Sequence, residues 1–108
     1  MRFHLVSAAL VGALALSLPS CASTYADLCQ KQRDCEGGND ADLEACVEAA
    51  HGAEEIAAAY DCRDAFDKQV ACLESKAVCN NKRFDESACR AEEDAVEACE
   101  KAASGKRN

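Results

Sequence analysis

The chain has 108 residues, with twenty acidic and twelve basic side chains and a formal net charge of −8. An acidic surface repels phosphate backbones and anionic lipid, which excludes nucleic-acid binding as a function. Nine cysteines, against two histidines and no tryptophan, make sulfur the dominant chemistry.

Residues 1–20 place Arg2 ahead of the apolar run LVSAALVGALALSL (5–18). The run is too short to span a bilayer and polar sequence follows at once, so it reads as an export signal that is removed. Without Arg2, 11 basic side chains face 20 acidic ones, and the exported chain carries a formal −9. The run ends in Leu18-Pro19-Ser20-Cys21, which resembles the lipobox of bacterial lipoproteins. There a small residue precedes a cysteine that is acylated and becomes the mature amino terminus. The resemblance implies lipidation of Cys21 and one anchored domain over 21–108. Pro19 departs from the small or aliphatic residue usual at its position, and cleavage after Ala22 or Ala26 is the alternative.

The remainder has no proline, few β-branched residues and much alanine, glutamate and lysine, so it reads as all-α, a bundle of about four helices. Breaks fall at Gly37-Gly38-Asn39-Asp40, Gly52, Asn80-Asn81 and Ser104-Gly105. Helix one covers about 24–35, capped by Ser23 or Thr24. Helix two starts at Asn39 or Asp40, has acids in its first turn as the macrodipole favours, and stops near Gly52. Helix three runs from Glu54 or Glu55 to about Val78, with Asp61 as a candidate break. Helix four runs from Asp85 to a left-handed cap at Gly105, and the tail Lys106-Arg107-Asn108 is loose.

Nine cysteines is an odd number for an exported protein, and removal or acylation of Cys21 leaves eight. Eight in about 88 residues is a density typical of disulfide scaffolds in oxidising compartments. The core is small, with ten large aliphatic or Phe side chains plus Tyr25 and Tyr60, so covalent staples of about 2–4 kcal/mol each are the expected remedy.

The spacing also proposes partners. Residues 62–72 read CRDAFDKQVAC and residues 89–99 read CRAEEDAVEAC. Ten positions is one heptad and one a-to-d step, so both cysteines of each stretch lie on one seam. In an antiparallel pair, residue numbers at one level add to a constant. That constant is 161 for Cys62 with Cys99 and for Cys72 with Cys89, which centres the turn on Asn80-Asn81. Large then faces small, Phe66 against Ala95, Leu73 against Ala88 and Val96 against Ala65, while Gln69 meets Glu92. Cys29 with Cys46 centres on Gly37-Gly38, and the competing pair, Cys35 with Cys46, centres on Asp40-Ala41, without a turn glycine. Cys35 with Cys79 would then join the tips of two hairpins. The triplets 29, 35, 46 and 72, 79, 89 each span 17 residues, as two related hairpins would.

The twin Cys-x9-Cys hairpin is similar to the coiled-coil-helix-coiled-coil-helix proteins of the mitochondrial intermembrane space, although Cys79 in the loop and the export signal depart from that pattern. The whole chain, from the lipobox through Cys29 to Cys99, resembles small cysteine-rich lipoproteins of Gram-negative bacteria. That resemblance implies a location in the cell envelope, with Ala22 after the lipidation site leaning towards the outer membrane, and no catalytic residues.

Catalytic motifs are lacking: the exported chain has one histidine, His51, and no Gly-x-Ser-x-Gly, phosphate loop or His-Glu-x-x-His. His51 with Glu48, Glu54 and Glu55 offers a metal-type cluster, but a solvated histidine near a helix end accounts for it. Gly52 after it rules out a His-Asp dyad of the phospholipase A2 kind. No Cys-x2-Cys supports zinc or a thioredoxin-like centre. The acids Glu92, Glu93, Asp94, Glu97 and Glu100 lack the alternating ligands and glycine of a calcium loop. The expectation is a non-enzymatic, cofactor-free module tethered to the membrane through Cys21 and presented to a protein partner. A secreted ligand-binding or inhibitory module is the alternative, and a thiol oxidoreductase or metal binder stands behind both.

Overall fold

The computed structural model describes residues 23–105; the leader, Cys21 and the tail from Lys106 lie outside the described residues. The fold is all-α and disulfide-stapled. Its helices are α1 (Ser23–Glu36), α2 (Asp40–Ala59), α3 (Arg63–Lys76) and α4 (Arg90–Ser104). A two-stranded ribbon, β1 (Val78–Asn80) and β2 (Arg83–Asp85), and a 3₁₀ turn over Ser87–Cys89 connect α3 to α4. α1 packs on α2 and α3 on α4 as two antiparallel hairpins, α2 also touches α3, and the ribbon rests on α1.

The first turn is built as its glycines require. Gly37 adopts φ +77°, and the N–H groups of Gly37 and Gly38 both donate to the Arg33 carbonyl, at 2.9 and 3.1 Å, so a left-handed residue closes α1. Asn39 then caps α2: its side chain accepts from the N–H groups of Ala41 and Asp42, and the Asp42 carboxylate accepts from the Asn39 N–H. This reciprocal box satisfies donors that the first turn of a helix leaves open.

The boundary between helices two and three differs from the sequence expectation. α2 passes through Gly52 and ends at Ala59, because one helical glycine costs only about 1 kcal/mol against Ala in a run of strong helix formers. The break is at Asp61, which takes φ +59°. The Cys62 N–H donates to Ala57 O at 2.7 Å and the Asp61 N–H to Ala58 O at 3.1 Å. That is the double bond pattern of a Schellman cap, with aspartate at the left-handed position that glycine usually holds. Its apolar contact is also present, since Ala57 and Cys62 share one buried cluster.

Helix four also begins later than expected. Asp85 closes β2, and its carboxylate accepts the Ser87 N–H at 2.9 Å. The Ser87 hydroxyl and N–H hold that carboxyl below the usual range, and the chain makes a 3₁₀ turn before α4 starts at Arg90. At the other end Gly105 has φ −64°, so α4 ends without the left-handed cap its glycine suggests. The ribbon pairs Asn80 with Arg83 and Val78 with Asp85, which leaves Asn81 and Lys82 as a two-residue turn at φ +51° and +61°. Both central residues of a type I′ turn need positive φ; asparagine tolerates it and lysine does so at a cost. Lys82→Gly is expected to raise stability by about 1 kcal/mol, read as a higher thermal midpoint, and a lower midpoint would contradict the strained-turn account.

The core is small and partly sulfur. Tyr25, Ala57, Cys62, Phe66 and Val96 form the buried cluster, and Ala50, Tyr60, Ala65, Val70 and Cys99 pack around it. Cys29, Cys62 and Cys89 are the most completely buried large side chains among the described residues.

Candidate functional site

Among the described residues, clefts with polar lining lie at the end where α1 begins, between α3 and α4, at the ribbon end and at the α1–α2 turn. The structure joins Cys29 to Cys46, Cys35 to Cys79, Cys62 to Cys99 and Cys72 to Cys89, with Cα atoms 5.5 to 5.9 Å apart. Two of these bridges lie at the levels where residue numbers add to 161, both on the α3–α4 seam. Cys35–Cys79 ties the tip of the first hairpin to the ribbon. Among the described residues every cysteine is in a bridge, which leaves no thiolate there to attack a substrate or take up a metal.

At the start of α1, the Tyr25 hydroxyl donates to Glu54 Oε2 at 2.9 Å, and the Arg63 guanidinium donates to Glu54 Oε1. His51 Nδ1 is 3.8 Å from Glu54 Oε2, and the Tyr25 and His51 rings meet edge to face with centroids 4.9 Å apart. Phe66 lies against the other side of Tyr25, 6.2 Å between centroids. One carboxylate therefore fastens α1, α2 and α3 together. Sequence reading did not single out Tyr25 or Arg63 for this network. The signal was present in the pairing of Cys29 with Cys46, whose numbers add to 75, which places Tyr25 level with Ala50, next to His51 and about one turn from Glu54.

His51 and Glu54 do come together, but Glu54 is engaged by Tyr25 and Arg63, and Glu48 and Glu55 are exposed. These four do not converge on one point. The one trio of metal-type donors within 4.8 Å of one another among the described residues is Cys72, Cys89 and Glu92. Two of those donors are sulfurs bonded to each other.

Burial of Tyr25, reinforced by its hydrogen bond to Glu54 and the negative charge there, pushes its hydroxyl from the ordinary 10.0 up to about 12. A phenol held protonated in the fold contributes stability that is fully present below the unfolded value near 10. That contribution is lost as pH rises through 10 towards about 12, because the unfolded chain releases the proton first. The urea midpoint is expected to fall across that window by more in the native chain than in Tyr25→Phe. Parallel curves for the two proteins would contradict it.

Between α3 and α4 runs a groove of about 400 Å³ lined by Cys62, Ala65, Ala91, Ala95 and Cys99, with Lys68 and Glu92 at its sides. At the level where Gln69 is expected to meet Glu92, Glu92 Oε2 is shielded from solvent and has no hydrogen-bond partner. The carboxylate lies beside the Cys72–Cys89 bridge. At the ribbon end, Arg83, Glu86, Arg90 and Glu93 line a cleft of about 520 Å³. Burial, with Glu93 and Glu36 nearby, raises the Glu86 carboxyl above its usual range.

No family profile, curated protein or solved structure matches the chain.

Proposed function

We propose that the chain is a non-enzymatic lipoprotein of the bacterial cell envelope, anchored by acyl chains on Cys21, and that it presents a rigid helical domain to a protein partner. The observation that carries this reading is the distribution of sulfur: eight of the nine cysteines are consumed in four internal bridges. The ninth is Cys21, directly after the lipobox-like Leu18-Pro19-Ser20. In an oxidising compartment an unpaired thiol is a liability, and acylation removes it. Internal clips at both ends suit a module whose shape must persist outside the cell's reducing interior. The Tyr25–Glu54–Arg63 network supports a structural use of the polar side chains at the start of α1, since both carboxylate oxygens are taken by donors from other helices. Ala22 after the anchor favours the outer membrane.

Expression of the full chain in a Gram-negative host with labelled palmitate tests this. Label is expected in the mature protein and none in Cys21→Ala, and globomycin is expected to cause the uncleaved precursor to accumulate. Unlabelled protein released to the medium would reject tethering and favour the secreted ligand-binding module.

A further inference from the structure

If Cys21 carries the anchor, the structure also determines which end of the domain meets the lipid. α1 begins at Ser23, so two peptide units separate the acylated residue from a rigid helix, and they span at most about 7 Å. That first turn cannot swing freely, because Tyr25 is 8% exposed and fixed to Glu54 and His51 of α2. The Cys29–Cys46 bridge sets the register of α1 on α2, and in that register Ser23 is level with Gly52. α2 continues to Ala59, so its last two turns project about 10 Å beyond the start of α1.

The projecting segment has an open apolar side. Ile56 is 52% exposed, one of two large hydrophobic side chains so exposed among the described residues, and Ala53 and Ala59 beside it are exposed as well. Ile56 lies four residues past Gly52, about 6 Å further along the axis, a distance no greater than the reach of the two peptide units before Ser23. The other exposed side chain, Val78 at 57%, is in β1 beside the Cys35–Cys79 bridge, about 18 Å away along α1. Charge bears on the lipid. Glu54 is paired with Arg63, and from Ala53 to Asp61 the segment exposes the acids Glu55 and Asp61 and no basic side chain, so it offers nothing to draw anionic headgroups and suits neutral ones.

We infer that the carboxyl-terminal end of α2, centred on Ile56 with Ala53 and Ala59, rests on a zwitterionic bilayer surface, and that the ribbon end points away from it. This rests on the proposed lipidation. The length of chain between anchor and fold is what assigns lipid to this face: a longer linker would leave the domain free to tumble. The ribbon, with Arg83 and Arg90 in its cleft, is then the end available to a partner.

The chain contains no tryptophan, so Ile56→Trp and Val78→Trp each give a single reporter at an exposed position. The acylated full-length protein is reconstituted in phosphatidylethanolamine–phosphatidylcholine vesicles whose acyl chains are brominated near the headgroup. Emission from Ile56→Trp is expected to shift to the blue and lose about half its intensity on transfer to brominated lipid, as a side chain at the headgroup–acyl boundary would. Val78→Trp is expected to stay unchanged. Acylated protein that floats with the vesicles while the two reporters respond alike, or while Val78→Trp alone is quenched, would overturn the orientation and leave lipidation standing. Native protein purified from the Gram-negative host that proves to carry no acyl chains and stays off the vesicles would defeat lipidation, and the orientation with it.

Discussion

Full reduction of the eight bridged cysteines is expected to abolish cooperative unfolding and leave a chain with the weak helicity of its separate segments. The bridges close loops of 17, 44, 37 and 17 residues, and constraining the unfolded chain by loops of that size is worth about 3 to 4 kcal/mol each. Together they exceed about 10 kcal/mol, as much as the whole stability of many small domains. Little else can replace them. Apart from cysteine, the large buried side chains are Tyr25, Phe66 and Val96, and helices of 14 to 20 residues are marginal alone in water. Circular dichroism on heating, with and without reductant, is the measurement. A reduced chain that kept its helicity and melted in one sharp transition would show that packing alone holds the fold.

The covalent frame was legible in the sequence because each seam is overdetermined. Cys62, Cys72, Cys89 and Cys99 give two independent estimates of one turn centre, and they agree on Asn80-Asn81, one position before the observed turn at Asn81-Lys82. The turn's conformation was not legible. β1 and β2 have three residues each, too few for a period of two to stand out from a helix-rich background. The end of α2 was misplaced for a different reason. Gly52 and Asp61 both break helices on average, and the choice fell to Asp61 because the cap bonds from Asp61 and Cys62 back to Ala58 and Ala57 turn the chain where Cys62 must go to reach Cys99, which is a tertiary fact. Gln69 and Glu92 show the limit of level arithmetic. It places two residues at one height but does not fix which atoms bond, and the Glu92 carboxylate lies beside the Cys72–Cys89 bridge with Oε2 lacking a hydrogen-bond partner. The Tyr25–Glu54–Arg63 network joins three helices, and no local pattern announces that.

The second large effect separates the two clips on the α3–α4 seam. Cys62→Ala with Cys99→Ala is expected to cost about 4 kcal/mol, and Cys72→Ala with Cys89→Ala about 2 to 3 kcal/mol. Both clips tie the same helices, but one loop is nested in the other, 17 residues inside 37. Removing the outer clip leaves only the 17-residue loop and frees a ring of about 20 residues, worth about 3 kcal/mol. Removing the inner clip merges two small rings into the 37-residue loop, which still restricts the chain, so the loss is smaller. Packing widens the gap. Cys62 belongs to the buried cluster with Ala57, Phe66 and Val96 and follows the strained Asp61, so losing its bond loosens the core and the cap of α2 together. The inner clip is backed by the ribbon and by Cys35–Cys79. Urea unfolding of the two double variants gives the comparison. Amide exchange locates it: the outer variant is expected to lose protection along the last two turns of α4, and the inner variant near Ser87–Arg90. An equal or larger loss for the inner pair would mean that the ribbon end, rather than the Cys62–Cys99 end, holds the two helices in register.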